Sequence, residues 1–275
     1  IIQAAGVADA GNAMLVEEAG FPAVYMSGSY VSFTHGWPDL GMVTMTEMAE
    51  RAACIVKRVK IPVIADADEG YGDSMQVSRT IAEYERAGVA ALHIEDMSKT
   101  RGAPLPIADM VKRIKVALQA RTDPDLAVIV RTDAMASWRT DLESPAARKE
   151  DCLKRAVSYA EAGADLVMVM HPDSTETLER FCREISRPVA VEMGQVTALR
   201  GVAASNDCPR DLEKMGIKVG IFATYLMMKM APVMRRLLSE MRRTGQAPLN
   251  DEDRQHRKSL NALLGESELM RIQSK

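Results

Sequence analysis

The amino-acid sequence predicts a single large domain of the α/β class, a closed (β/α)8 barrel of the TIM type. One observation is a repeated order in which a helical pattern ends at glycine and a short apolar run follows, as in ERAGVAAL, AEAGADLV and EKMGIKVG. Another is that eight apolar runs of this kind are present, and that 275 residues suit one barrel. A doubly wound open sheet is the main alternative. The absence of a GxGxxG motif after the first run favours the barrel.

The eight runs are rich in Val, Ile and Ala and are predicted to form the strands. Strands of a parallel barrel are covered on both faces, so nearly continuous apolar sequence is expected for them. The predicted strands begin near Ile1, Ala23, Ile61, Ala91, Ala127, Leu166, Pro188 and Lys218.

Helical periodicity occupies the intervals between the runs. It predicts helices over residues 75–87, 151–162 and 209–215, each followed directly by the glycine that stops it. A helix between consecutive strands is what a parallel barrel requires.

The C-terminal part has a different pattern. A long, Met-rich apolar helix is predicted over 225–243, followed by a polar break and a charged stretch. We therefore predict a barrel domain at 1–245 and a helical tail at 246–275. The tail is expected to pack on the barrel or on a neighbouring subunit.

Composition and charge exclude several classes of protein. The formal net charge is −3, which gives no basic surface for nucleic acid or membrane. No signal peptide is expected at the start, and no apolar stretch is long enough to cross a bilayer. The four widely spaced cysteines form no CxxC pair and are expected to be free thiols, which predicts a cytoplasmic protein.

Acidic residues gather where predicted strands end, which is where barrel enzymes carry their active sites. Asp66 and Asp68 close the third strand and Glu95 closes the fourth. Two carboxylates on one strand face repel each other unless a proton or a cation separates them, and a hard divalent cation would do so. The alternative is that these acids cap helices and loops.

Other strand ends carry residues suited to binding an acid. Arg131 closes the fifth strand and needs an anionic partner, either a nearby acid or a substrate. Glu192 closes the seventh and could accept a hydrogen bond from substrate or pair with Arg131. Gly70 and Gly72 flank Tyr71 and either let the backbone approach a ligand or form a tight turn.

These residues resemble the isocitrate lyase and phosphoenolpyruvate mutase superfamily. The resemblance extends from the first strand to about residue 245. It rests on five stretches, YMSGS at 25–29, GWPDLG at 36–41, ADADEGYG at 65–72, HIED at 93–96 and VRTDA at 130–134.

The resemblance implies a Mg²⁺-dependent carbon–carbon lyase, with Mn²⁺ as a possible substitute. Asp68 would be the nearest metal ligand, and Asp66, Glu95 and Asp39 would hold the metal's water molecules. The shared chemistry is a stabilised pyruvate enolate. The superfamily also implies a homotetramer.

The resemblance further implies where a small carboxylic acid would bind. Arg131 would hold the substrate and the developing enolate. The residues expected to bind the rest of the substrate are Tyr25, Ser27, Gly28, Ser29 and Glu192.

The segment after the fourth strand departs from the family. Isocitrate-type lyases carry Lys-Arg-Cys-Gly-His there, whereas residues 97–110 of this chain contain no cysteine. Lys99 and Thr100 match the first half of the mutase and hydrolase motif, Lys-Thr-Asn-Ser. His171 lies one residue later than the family's sixth-strand histidine. A one-residue shift turns a strand side chain to the other face, so His171 is not assigned the role of that histidine.

Three functions remain open. The first is a lyase or decarboxylase acting on a small 2-oxo or 2-hydroxy dicarboxylate, with Tyr71, Lys99 or a metal-bound water as proton donor. The second is carbon–phosphorus chemistry, as a mutase or phosphonopyruvate hydrolase. The third is a non-catalytic relative that binds a 2-oxo acid.

Overall fold

Eight parallel strands close into a barrel in the computed structural model, which describes residues 1–98, 102–139, 141–142, 144–199, 202 and 207–273. The barrel strands are β1 Ile2–Val7, β2 Ala23–Met26, β3 Val63–Asp66, β4 Ala91–Glu95, β7 Ala127–Thr132, β8 Leu166–Val169, β9 Val189–Glu192 and β10 Ile217–Phe222. Each strand pairs with the strands that precede and follow it in this series, and β10 pairs with β1 to close the barrel. A short antiparallel hairpin, β5 Met97–Ser98 and β6 Ala103–Pro104, follows β4. The predicted (β/α)8 barrel is confirmed.

Nine of the described helices lie between β1 and β10 in the sequence. They are α1 Ala10–Glu18, α2 Gly28–Thr34, α3 Met45–Val56, α4 Ser74–Ala87, α5 Ile107–Ala120, α6 Pro145–Glu161, α7 Thr175–Glu184, α8 Met193–Val196 and α9 Cys208–Lys214. Gly88 ends α4 in a left-handed conformation with φ 83°, as the helix-glycine pattern predicts. Helix α6 begins six residues earlier than expected, because Ser144 caps it and Pro145 is favoured in a first turn.

The barrel interior is filled by alternate residues of the strands. Tyr25, Ile64, Ile129 and Met168 pack there with small residues such as Ala190. Every second side chain of a strand faces the same side. The next inward-facing residue after Ile64 or Ile129 therefore lies at the carboxyl end of the barrel. The strand ends therefore determine which side chains reach that opening.

Strands β1 and β10 approach each other closely at this end. A Cβ placed on Gly6 would lie 2.1 Å from the carbonyl oxygen of Ala223. Glycine is therefore required at position 6 by the packing of two backbones.

The chain divides into two compact units, Ile1–Tyr225 and Leu226–Lys275. Three helices follow the barrel, α10 Tyr225–Thr244, α11 Asp251–Leu263 and α12 Glu266–Gln273. Helix α10 contains Pro232 and exposes large apolar side chains, among them Met234 and Leu237. The domain boundary predicted after residue 245 stays a prediction. In the part of the chain that the structure describes, no helix is both long and apolar enough to span a bilayer.

Candidate active site

The carboxyl ends of β3, β4 and β7 bring three predicted site residues to the same opening. Asp66, Glu95 and Arg131 each continue the inward-facing series of their strand. Glu95 lies beside Arg131 in the register of β4 and β7. The proximity of these residues therefore follows from strand order and strand length.

Arg131 is held by two carboxylates. Its Nε and Nη2 atoms donate to the two carboxylate oxygens of Asp133 at 2.7 and 2.9 Å. Its Nη1 atom lies 3.2 Å from Oε2 of Glu95. Such a bidentate arrangement fixes the plane of the guanidinium group as well as its position.

This ion-pair cluster is largely withdrawn from water, since Asp133 and Glu95 are each 2% exposed. Burial alone would raise the pKa of Asp133, but the charge of Arg131 and the hydrogen bonds from His171 and Arg131 together outweigh it and hold that pKa well below its usual range. For Arg131, burial opposes the charged form, whereas Asp133 and Glu95 raise its pKa well above the ordinary value. Arg131 and Asp133 are therefore both ionised near neutral pH.

Asp66 organises a second group of contacts. Its Oδ2 atom accepts hydrogen bonds from the Tyr25 hydroxyl and the Gly28 N–H, both at 3.0 Å. Its Oδ1 atom accepts from the N–H of Asp68 at 3.0 Å. The Tyr25 hydroxyl also lies 2.8 Å from Nε2 of His93. Burial is the main cause that raises the pKa of Tyr25, so its phenol stays protonated.

The start of α2 lies against Asp66. Ser27 caps this helix by accepting from the N–H of Tyr30 at 3.3 Å, and Ser29 follows within the first turn. A Cβ on Gly28 would lie 2.7 Å from Oδ2 of Asp66. Glycine at this position permits the close approach of the backbone to the carboxylate.

We expect Gly28→Ala to displace Asp66, to lower turnover at least tenfold, and to destabilise the fold by about 1–3 kcal/mol through overpacking. An activity assay and urea denaturation would measure the two effects. Gly11→Ala, in α1, is the matched control, because a Cβ there meets an ordinary contact of 3.4 Å and alanine favours a helix. Wild-type activity in Gly28→Ala would show that the contact has no importance for the site.

The segment after β3 takes an unusual backbone conformation. Asp68 and Tyr71 have φ of 46° and 59°, in the left-handed region. The Asp68 carbonyl accepts from the N–H of Glu95 at 2.8 Å, which ties this segment to β4. The turn therefore presents Asp68 beside the barrel opening.

Tyr71, predicted as a candidate proton donor, faces a second cavity of about 440 Å³ that Thr44 and Arg79 also line. Its hydroxyl lies 3.1 Å from that of Tyr84, and burial raises its pKa well above the usual value. Its catalytic role stays a prediction. Lys99, the other candidate, lies outside the described residues.

Glu192 caps α8 by accepting from the N–H of Gln195 at 2.8 Å. The side chain of Gln195 in turn accepts from the N–H of His171 at 2.7 Å. The ion pairs of Arg131 described above are with Asp133 and Glu95. They supply the anionic partners that the sequence required, without involving Glu192.

His171 lies closer to the site than sequence reasoning expected. Its Nε2 atom is 3.5 Å from Oδ1 of Asp133. His171 follows the end of β8 and has φ of 58°. The alternation of strand side chains stops where the strand stops, so the register argument that set this residue aside does not hold here.

A cavity of about 300 Å³ opens beside the ion-pair cluster. Its size is at the lower end of the range for small-molecule sites, roughly 300–1,000 Å³. Its lining residues are Asp39, Leu40, Glu95, Met97, Arg131, Asp133 and Trp138. The predicted residues Asp39, Glu95 and Arg131 are thus brought together, whereas sequence reasoning missed Leu40, Met97 and Trp138.

A buried network supports this cavity from outside the barrel. Asp96 accepts from the Tyr159 hydroxyl at 2.8 Å and from the N–H of Asp133 at 3.3 Å. Burial raises the pKa of Asp96 to about 6, and the charge of Arg155 opposes this increase. Arg155 also donates to the carbonyl of Leu105 at 2.6 Å. The network joins α6 to Asp96 and Asp133, the residues that directly follow β4 and β7.

The donors at the opening suit a hard cation. The predicted ligands contribute carboxylate oxygens, which Mg²⁺ prefers, and Mg²⁺ commonly keeps several water molecules instead of taking many protein ligands. Within the described ranges, no group of three or more His, Cys, Asp or Glu residues is placed to hold a metal directly. A cation bound by few direct ligands and through water is compatible with both facts.

Comparison with known proteins adds to this geometry. The family model described as phosphoenolpyruvate phosphomutase matches residues 2–242, which is most of the chain. The chain belongs to the phosphoenolpyruvate mutase and isocitrate lyase superfamily. The prediction of an enzyme of this superfamily is confirmed, at the level of family and enzyme class.

Two curated relatives illustrate the likeness. The 2,3-dimethylmalate lyase of Eubacterium barkeri is 35% identical over 235 residues, which are 82% of this chain and 75% of that protein. The 2-methylisocitrate lyase of Aeropyrum pernix is 38% identical over 200 residues, 70% of this chain and 61% of that protein.

A solved superfamily structure shows the same fold. The crystal structure of a 2,3-dimethylmalate lyase superposes with a TM-score of 0.84 at 31% identity, and covers 100% of this chain and 93% of its own.

Proposed function

We propose that this chain is a Mg²⁺-dependent lyase or decarboxylase that cleaves a carbon–carbon bond of a small 2-oxo or 2-hydroxy dicarboxylate. The observation that carries the proposal is the position of Arg131, fixed by Asp133 and Glu95 at the wall of a small cavity. Superfamily membership supports it, because the relatives described above are named as lyases of 2,3-dimethylmalate and 2-methylisocitrate, which are 2-hydroxy acids with two and three carboxylates.

Asp68, Asp66, Glu95 and Asp39 are the residues proposed to hold the metal, which could also be Mn²⁺. When bound, the cation would supply positive charge that stabilises negative charge developing on substrate oxygens. The all-carboxylate character of the set supports this assignment. In the same region, the buried Asp66 already orients Tyr25 and the N-terminal backbone of α2.

The bond changes differ between the two substrate classes. In a 2-hydroxy dicarboxylate, the C2–C3 bond breaks, the hydroxyl loses its proton, C2 becomes a carbonyl, and the electron pair remains with C3 as the enolate of the second acid. In a 2-oxo dicarboxylate, carbon dioxide departs and the pair remains as the enolate of a 2-oxo acid. Each enolate then takes up a proton at carbon.

The chain's own residues supply binding and charge stabilisation. Arg131 is proposed to bind a substrate oxygen and to stabilise the developing enolate, since fixed charges need little reorganisation during reaction. Ser27, Gly28 and Ser29, at the start of α2, are proposed to bind a carboxylate of the substrate. Tyr25 and Glu192 complete the proposed substrate-binding set.

The proposal includes an oligomeric state and a cellular location. We propose a homotetramer and a cytoplasmic location, supported by superfamily membership and by the spacing of the four cysteines. Light scattering of the purified protein would test the tetramer.

Purified protein assayed for pyruvate release in the presence of Mg²⁺ tests the function. Oxaloacetate, 2-methylisocitrate, 2,3-dimethylmalate and phosphonopyruvate would be offered separately, with enzyme-free reactions subtracted because oxaloacetate decays in solution. We expect turnover of a dicarboxylate, its loss with EDTA, and its recovery when excess Mg²⁺ is added.

Other outcomes lead to the alternatives. Phosphate release from phosphonopyruvate would indicate carbon–phosphorus cleavage. Binding without turnover of any acid would indicate a non-catalytic relative. Turnover that persists in EDTA would contradict the metal assignment.

A further inference from the structure

Part of the lining of the active-site cavity is apolar. It consists of Leu40, Met97 and Trp138, which come from three separate segments after α2, β4 and β7. We call these three residues the apolar wall. Arg131, Glu95 and Asp133 line the same cavity, so a ligand there meets charged and apolar groups together.

The apolar wall has surface that a ligand could cover. Trp138 is 50% exposed and Leu40 is 56% exposed, whereas Met97 is 1% exposed and forms fixed packing behind the opening. Ligand binding becomes more favourable when the ligand displaces water from large apolar side chains that are accessible inside a cavity.

The two kinds of lining suit different parts of a ligand. A carboxylate needs the cationic and hydrogen-bonding groups, and it would lose hydration without compensation if it lay against the apolar wall. An alkyl substituent has the opposite requirements. A cavity of about 300 Å³ leaves room for a small acid with a short branch and not for a long chain.

We propose that Trp138, with Leu40 and Met97, determines specificity for dicarboxylates that carry an apolar branch on a carbon of the scissile bond. This inference rests on the proposed function and narrows its substrate class. It concerns Trp138 as a contact of the substrate's substituent, while bond cleavage remains with the groups assigned above.

The size of the effect follows from ordinary hydrophobic discrimination. A missing methyl or methylene group in an apolar pocket changes kcat/KM by about 10–200-fold. Wild-type enzyme should therefore prefer 2,3-dimethylmalate over malate, its unbranched parent, by at least about tenfold. Malate cleavage is followed as glyoxylate release, because breaking its C2–C3 bond yields glyoxylate and acetate. Trp138→Ala should reduce that ratio about tenfold, mainly by lowering kcat/KM for the branched acid.

The control for this comparison is Trp37→Phe. Trp37 is similarly exposed, at 51%, and is not among the residues that line the cavity. We expect it to keep the wild-type ratio. Trp138→Phe retains an apolar ring and should restore most of the preference lost in Trp138→Ala.

A binding measurement makes the test independent of turnover. The chain contains two tryptophans, so Trp37→Phe leaves Trp138 as the sole indole. Titration of this variant with 2,3-dimethylmalate in EDTA, where no turnover is expected, should change its emission in a saturable way, and malate should require about tenfold higher concentration. Trp138→Phe, in which only Trp37 emits, should show no such change.

Three results would overturn the inference. They are equal kcat/KM for the branched and unbranched acids, equal losses on both acids in a folded Trp138→Ala variant, and no emission change with either acid. Equal losses would show that Trp138 only excludes water. If no acid is turned over but emission still distinguishes the two acids, the proposed reaction fails while the binding preference stands.

Discussion

Replacing Arg131 by lysine is expected to lower kcat/KM by about 10²–10³-fold, the size of loss seen when one preorganised charge-stabilising donor is removed from an active site. Lysine keeps the positive charge but lacks the planar fork that contacts Asp133 and Glu95 together. Its ammonium group would take a different position relative to the substrate. Pyruvate release at varied substrate concentration measures the change.

Arg121→Lys is the matched control. Arg121 is also 20% exposed as a side chain and also pairs with a carboxylate, that of Asp165, but it lies before β7, at the opposite end of the strand. We expect nearly wild-type kinetics from it. A loss of similar size in both variants would show that the effect at Arg131 reflects general weakening of ion pairs.

Replacing Asp68 by asparagine should lower the apparent affinity for Mg²⁺ by more than about 100-fold, because loss of an indirect partner alone costs 10–100-fold. The variant is chosen to preserve the fold. Asparagine tolerates the left-handed conformation of this position, and the backbone contacts of Asp68 to Asp66 and Glu95 remain available. Activity measured against Mg²⁺ concentration, with calorimetric titration of the metal, tests this.

Asp125→Asn provides the control for that measurement, since Asp125 is an exposed acid in the turn before β7. It should leave the Mg²⁺ dependence unchanged. An Asp68→Asn enzyme with normal Mg²⁺ dependence would remove Asp68 from the metal site and leave Asp66, Glu95 and Asp39 to be tested in turn.

The fold and the site residues at the strand ends follow from periodic features of the sequence. Apolar runs separated by helix-glycine boundaries determine the strands, and the carboxyl ends of parallel strands must meet at one edge of the barrel. Asp66, Glu95 and Arg131 were therefore predictable as neighbours, because each ends a strand. In the structure Glu95 lies beside Arg131 and both line one cavity, while Asp66 ends the neighbouring strand β3. Their roles in the site stay predictions.

Features of the segments between elements were not predictable in this way. Trp138 and Leu40 come from irregular segments whose course depends on tertiary packing. The hydroxyl of Tyr71 meets Tyr84, because the turn after β3 is left-handed at residue 71. His171 also has a left-handed backbone, and it reaches Asp133 from beyond the end of β8. Period-two reasoning carries no information about backbone beyond a strand's end.

The way Asp133 and Glu95 hold Arg131 has a consequence for conformational entropy. A long cationic side chain that reached for its substrate from solvent would lose about 1.5–2 kcal/mol of rotamer freedom each time a ligand bound. Arg131 is already fixed by its two carboxylate partners. That ordering occurs once, as the barrel folds, so each substrate molecule encounters a guanidinium group that is oriented before it arrives.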